Sequence, residues 1–129
     1  LEKEVERRTR DLRLSEERLR FTIRAARLGS WTLDLTDLRL TCSDICKANF
    51  GRRAEEPFAY EDLIAAILPE DRPKMELAVQ EAIALHEDYE LEYRISTPAG
   101  QTRWIMARGR PHYAADDRPI SMSGVTLDV

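Results

Sequence analysis

The run from Tyr89 to Val129 limits the fold most. It alternates apolar and polar side chains over three stretches separated by turn signals. Tyr89, Leu91, Tyr93 and Ile95 alternate with Glu90, Glu92, Arg94 and Ser96, the period of a strand with one buried face. Pro98-Ala99-Gly100-Gln101 reads as the first turn and residues 114–119 as the second, so residues 102–113 and 120–129 supply two further strands. Strands joined by turns this short pair antiparallel, as a meander.

Two shorter strands are expected upstream. Trp31, Leu33 and Leu35 alternate with polar neighbours, Thr36-Asp37 turns the chain, and Leu38, Leu40 and Cys42 alternate again. Ser43 or Asp44 then caps a short helix running to Phe50, and Gly51 ends it. A short oxygen-bearing side chain satisfies the first free N–H groups of a helix, and glycine accepts the left-handed turn that closes one. Residues 51–58 read as a loop and 59–67 as helical. Pro69-Glu70-Asp71 opens a longer helix, with Met75, Val79, Ala82 and Ile83 as its apolar stripe and residues 86–88 as its end. Pro73 is tolerated in its first turn. The order helix, two strands, helices, three strands is most economically one α+β domain: a five-stranded antiparallel sheet with the short helices on one face.

Residues 1–27 hold no Pro or Gly and are rich in Glu, Arg, Leu and Ala, which favours one long helix. Val5, Leu12, Leu19 and Ala26 recur every seven positions, while Arg8, Ser15 and Thr22 interrupt the other half of the seam. Leu14, Phe21, Ala25 and Leu28 form a second apolar row past Arg13, and Ile23 adds to it. Two apolar faces at one helix end imply that one packs on the globule and the other on a partner. Residues 1–28 are therefore expected to be a dimerisation helix that makes a homodimer, and residues 29–129 the globular domain. The competing reading is a solvated single helix. Charge divides in the same place: residues 1–27 carry nine Lys/Arg against six Asp/Glu, and the remainder eleven against eighteen. An acidic globule argues against a nucleic-acid partner, which requires a basic surface. No run of about 18 apolar residues is present, so no membrane contact is expected of this segment. Because it opens on Leu1 rather than Met, the chain is expected to be a piece of a longer protein.

Several strings, in order, resemble the PAS fold family of bacterial sensor proteins. Residues 29–35 (GSWTLDL) are similar to its opening strand, and residues 68–72 (LPEDR) to the HPEDR string before its long helix. Residues 89–95 resemble its third strand. Thr97-Pro98-Ala99-Gly100 followed by Arg103-Trp104-Ile105 resembles its PDG…RW hairpin, and residues 124–129 its G…DIT ending. Arg8-Thr9, Leu12 and residues 15–20 are similar to the linker helices that precede such domains. Leu68 stands where the family usually has His, so any role of that imidazole is absent here.

The resemblance implies a signal-transmitting module of a sensor histidine kinase, with the effector in the same chain and the flanking helices carrying the signal. A diguanylate cyclase or phosphodiesterase is the alternative effector, and a ligand-free dimerisation and spacing domain the alternative role. Asp128 matches the aspartate of the DIT ending, which pairs with a basic group near the end of such domains; Arg27 is its expected partner. Apolar periodicity and the resemblance together place Leu40, Ile45, Phe50, Leu63, Ile67, Met75, Val79, Tyr93 and Met122 around a small pocket between sheet and helices. Trp31 reads as core packing. Trp104 lies on a strand with two partly apolar faces, so a covering by the leading helix or a second subunit is expected there.

Chemistry of its own is not expected of this segment, and no catalytic residue is assigned. Serine or cysteine elbows and phosphate-binding glycine loops are missing from the sequence. Haem sensors of the family use a His from the long helix, whereas His86 falls at that helix's frayed end and His112 near a strand end, so both read as surface residues. The GRNCRFLQ-like string of the flavin-binding light sensors is absent. Cys42 and Cys46 do not complete a metal site, which takes about four ligands. They read as small buried apolar side chains rather than a redox pair, and free thiols suit a cytoplasmic setting. No cofactor or metal is predicted, and a ligand, if one binds, is an unidentified small molecule.

Overall fold

The computed structural model describes residues 2–129, together with their side chains except at 2–6, 20 and 22–24. Helix α1 (Glu2–Ala25) leads into β1 (Gly29–Asp34) and β2 (Leu40–Cys42). Three helices follow, α2 (Asp44–Asn49), α3 (Tyr60–Ala66) and α4 (Arg72–Leu85), and then β3 (Tyr89–Ser96), β4 (Thr102–Tyr113) and β5 (Pro119–Asp128). The strands form one five-stranded sheet in the order β2-β1-β5-β4-β3, every neighbour antiparallel. The expected architecture is the observed one, and the last strand lies at its centre beside the first.

The register sorts side chains to two faces. Tyr93 lies opposite Ile105, Ala107 opposite Thr126, and Leu33 opposite Met122. All six are buried, on the face covered by α2 to α4, so the alternation in the sequence is the in–out pattern of a sheet with one covered face. Gly109 faces Gly124 across β4 and β5. A β-carbon at Gly109 would stand 2.8 Å from the Trp31 ring, so the absence of a side chain there makes room for the indole.

Two local expectations change. Leu38 has φ of +58° and is 53% exposed, so it belongs to the turn rather than to β2. The cause is local: Asp34 Oδ1 accepts from the Thr36 N–H at 2.8 Å and Asp37 Oδ1 from the Arg39 N–H at 3.0 Å, which favours a turn over a ladder. The histidines are exposed, yet each has a partner. His86 stacks on Tyr113 with ring centroids 3.9 Å apart, and His112 Nε2 is 2.7 Å from Ser123 Oγ.

The string at 68–72 fastens the helices to the sheet. The Leu68 N–H donates to Arg94 O at 2.9 Å, and Ile67 bridges to Ile95. Asp71 occupies the N-cap position of α4 but makes no side-chain cap. Its carboxylate instead accepts from Arg94: Nη2 at 2.8 Å, Nε at 3.1 Å and the backbone N–H at 2.8 Å. Arg72 Nε donates to Ile64 O and Ile67 O, and its Nη2 to Ala65 O, closing the C-terminal end of α3.

These donors hold the Asp71 carboxyl at about 2, against an ordinary 3.8, chiefly through the Arg94 guanidinium and then its backbone N–H. A carboxylate depressed in the folded state adds stability that is complete above its unfolded value and lost as pH falls through the folded one. Wild-type stability should therefore drop more steeply between pH 4 and pH 2 than that of Asp71→Asn. Urea midpoints measured across that window check this; parallel curves would remove Asp71 from the acid transition.

Candidate functional site

A cavity of about 40 Å³ lies between the sheet and α3–α4. Of the nine residues expected around a pocket, Leu40, Leu63, Met75, Val79, Tyr93 and Met122 line it. Phe50, Ile67 and Ile45 do not. Phe50 caps the end of α2 and packs on Phe58 with ring centroids 5.2 Å apart. Ile67 is fully buried where it bridges to Ile95. Ile45 lines a second cleft, with Ala26 and Arg27, because it directly precedes Cys46 on α2 and so leaves the helix on another side. Trp104 is 46% exposed on the outer face, under the Arg94 guanidinium at 5.7 Å, so that flank of the sheet is open among the described residues.

Six lining residues were not expected: Trp31, Leu33, Tyr60, Tyr89, Ala107 and Thr126. Tyr89 could have been read from the same alternation as Tyr93, while Tyr60 carries no such signal. Burial pushes the phenols of Tyr60, Tyr89 and Tyr93 up, so all three stay protonated near neutral pH. The Trp31 indole N–H is buried with no partner among the described residues. No charged side chain lines the cavity. It offers phenol, indole and hydroxyl groups on apolar walls, with room for water.

The second feature is a junction around α2, where the chain enters and leaves the domain. Ser43 Oγ caps α2 through the Cys46 N–H at 3.2 Å and accepts from the Ser30 N–H at 2.9 Å, while the Ser43 N–H donates to Ser30 O. At the other end of α2, the buried Asn49 donates from Nδ2 to Thr126 O at 3.2 Å and to Thr126 Oγ1 at 3.1 Å. Arg103 Nη1 donates to Ala48 O and Asn49 O, and Arg103 Nε stands 3.9 Å from Asp128 Oδ2. Arg27, the expected partner of Asp128, lines the same cleft, but the ion pair forms with Arg103. Arg103 lies on β4, whose residue Ile105 is opposite Asp128 in the register, so it reaches the carboxylate across the sheet.

Helix, sheet, cavity and junction together define an α+β module whose single antiparallel sheet is covered by short helices on one face. The chain belongs to the PAS fold family, whose model matches residues 39–126. Over its whole length it is 31% identical to the blue-light-activated histidine kinase of Brucella anthropi, of which it spans 26%. A solved sensory box histidine kinase/response regulator from Burkholderia thailandensis superposes with a TM-score of 0.78 at 26% identity, covering 87% of this chain and 84% of that one. A light-oxygen-voltage domain studied with a flavin analogue superposes at 0.66 with 18% identity, covering 86% and 84%. This chain thus spans about a quarter of the length of its curated relatives.

The expectation of no cofactor, drawn from the missing flavin signature, is not supported by these relatives. A cofactor site typically measures about 300–1,000 Å³, and an uncharged cavity of about 40 Å³ does not admit a flavin ring system. Among the described residues, no cluster of three or more His, Cys, Asp or Glu could hold a metal, and no helix is long and apolar enough to cross a membrane.

The junction makes its own prediction. A β-carbon at Gly29 would stand 2.4 Å from Cys46 Cα and 2.6 Å from Cys46 N. Since this contact is with backbone, α2 has to shift to accept it, and overpacking of this kind costs about 1–3 kcal/mol. Gly29→Ala should lower the urea midpoint accordingly, whereas Gly100→Ala meets nothing within 4 Å and bears only the strain of φ +84°. A Gly29→Ala midpoint equal to wild type would show that α2 is not fixed against β1.

Proposed function

We propose that this chain is the sensory and signal-transmitting unit of a multidomain histidine kinase. Residues 29–129 form the sensor, and residues 1–28 the helix that joins it to its neighbours and pairs it with a second copy. Support comes from one observation above the rest. Helix α2 is hydrogen-bonded both to Ser30 at the start of the domain and to Thr126 near its end. A change in the helical layer therefore reaches both connections at once. Asp128 and Arg103 set the direction in which the chain leaves, and Arg27 borders their cleft. The parent acts in the cytoplasm on this reading.

Leu12, Leu19 and Phe21 are 62%, 61% and 72% exposed along α1, and Ala26 is exposed beyond its end. Apolar side chains this open on one helix favour its burial in a homodimer. Val5 and Ile23, expected in the same contact, lie outside the described side chains. Removal of residues 2–20 should leave a folded globule that sediments as a monomer at micromolar concentration. A truncated chain that remains dimeric would move the contact to the sheet.

The names of the relatives raise a second reading, in which the chain itself takes up a light-absorbing flavin. The small uncharged cavity opposes it, and purified protein should show no visible absorption band even after incubation with flavin mononucleotide. The main reading is tested in the full-length parent. Asn49→Ala should alter autophosphorylation or its response to stimulus while the domain stays folded. Unchanged output in both respects would reduce the domain to a spacer.

A further inference from the structure

We propose that Cys42 and Cys46 form an oxidation-sensitive dithiol, in which a hydroperoxide oxidises Cys42 and Cys46 then closes a disulfide tying the end of β2 to the first turn of α2. This site goes beyond the sensory reading above and does not depend on it.

The two residues meet at one corner. Cys42 ends β2, opposite Trp31, and Cys46 follows the capping Ser43 by three positions on α2. Cys42 packs against the buried cluster that contains Cys46. Their exposure differs: Cys42 is partly open, whereas Cys46 is 0% exposed. An oxidant therefore meets Cys42 first, and the chain's other cysteine belongs to the cluster against which Cys42 packs. The thiol contact also decides which proton leaves first. It lowers Cys42 below its ordinary value, against burial and Asp44 and with help from Lys47, and together with burial it pushes Cys46 far up. An accessible thiol of low proton affinity beside a resolving thiol is the arrangement of cysteines that respond to oxidants.

The chemistry balances with a hydroperoxide as oxidant. The Cys42 thiolate attacks one peroxide oxygen, the O–O bond breaks, and the departing alkoxide takes a proton to leave as an alcohol (water, for hydrogen peroxide). Cys42 is left as a sulfenic acid. The Cys46 sulfur, giving up its proton, attacks the Cys42 sulfur; the S–O bond breaks, and hydroxide leaves with that proton as water. The two thiols together lose two electrons and two protons, and the peroxide bond is reduced.

The location gives the bridge a mechanical consequence. Cys46 Cα and N abut Gly29, where α1 gives way to β1, so displacement of Cys46 is passed to the incoming connection. The same short helix holds Thr126 through Asn49.

The test uses the purified chain, reduced and then exposed to hydrogen peroxide, with cysteines counted by maleimide alkylation under denaturing conditions. The expected result is two alkylated cysteines before exposure and none after, with both restored by dithiothreitol. Digestion should release a peptide in which Cys42 is joined to Cys46 within one chain. In Cys46→Ala the oxidation stops at a sulfenic acid on Cys42, trapped by dimedone, and in Cys42→Ser the buried Cys46 stays reduced. Circular dichroism confirms that each variant folds, and the wild-type result stands without them. Three outcomes overturn the proposal: Cys42 passing to sulfinic acid while Cys46 still alkylates, bridges formed only between chains, or Cys42→Ser oxidising as fast as wild type.

Discussion

The structure depends on where one carboxylate is directed. Asp71 sits where a helix cap belongs, yet it makes no side-chain cap and accepts three hydrogen bonds from Arg94 on β3. Charge-assisted, two-pronged contacts of this kind are among the stronger polar interactions and fix geometry as well as distance. With Leu68 bonded to the same strand and Arg72 closing α3, five consecutive residues join two helices to the sheet edge. Polar bonds thus add to packing in holding α3 and α4 on the sheet.

The other end of the helical layer is held differently. Helix α2 has only six residues, too few to be stable by propensity. Its place comes from a capping serine shared with β1, a backbone contact at Gly29, and the buried Asn49 amide, which donates to Thr126 on β5. Each is short-range and specific, so α2 has little freedom to move without moving a strand. The same corner holds the two thiols and borders the cleft of Arg27 and Asp128.

Much of this was legible in the residues. The alternation from Tyr89 onwards located three strands, Ser43 and Gly51 bounded α2, and the proline-rich opening located α4. Periodicity reports which side chains turn inward, and it found six of the cavity's lining residues for that reason. It does not separate a residue facing a void from one filling the core, so Phe50 and Ile67 were grouped with the cavity although they are fully buried in packing. Leu38 misled because apolarity outweighed the turn chemistry of its two aspartates. The Asp128 partner was not readable at all. Arg27 is close to it in the cleft, but the antiparallel register carries Arg103 there from another strand, and register is a tertiary property.

Magnitudes decide which bonds at the junction could carry a signal. The Arg103–Asp128 pair spans 3.9 Å with both side chains about a third exposed or more, and pairs of that kind contribute about 0–1 kcal/mol. Asn49 is buried, and removing its amide would take from Thr126 the donor to its carbonyl and hydroxyl oxygens. Unsatisfied buried groups cost about 1–3 kcal/mol, the range in which coupling between distant sites ordinarily falls. The exposed aspartate is therefore suited to steering the outgoing chain, and the buried asparagine to linking its position to the helical layer. The family's ending marks the first of these in sequence. The second is visible only once α2 and β5 are seen side by side.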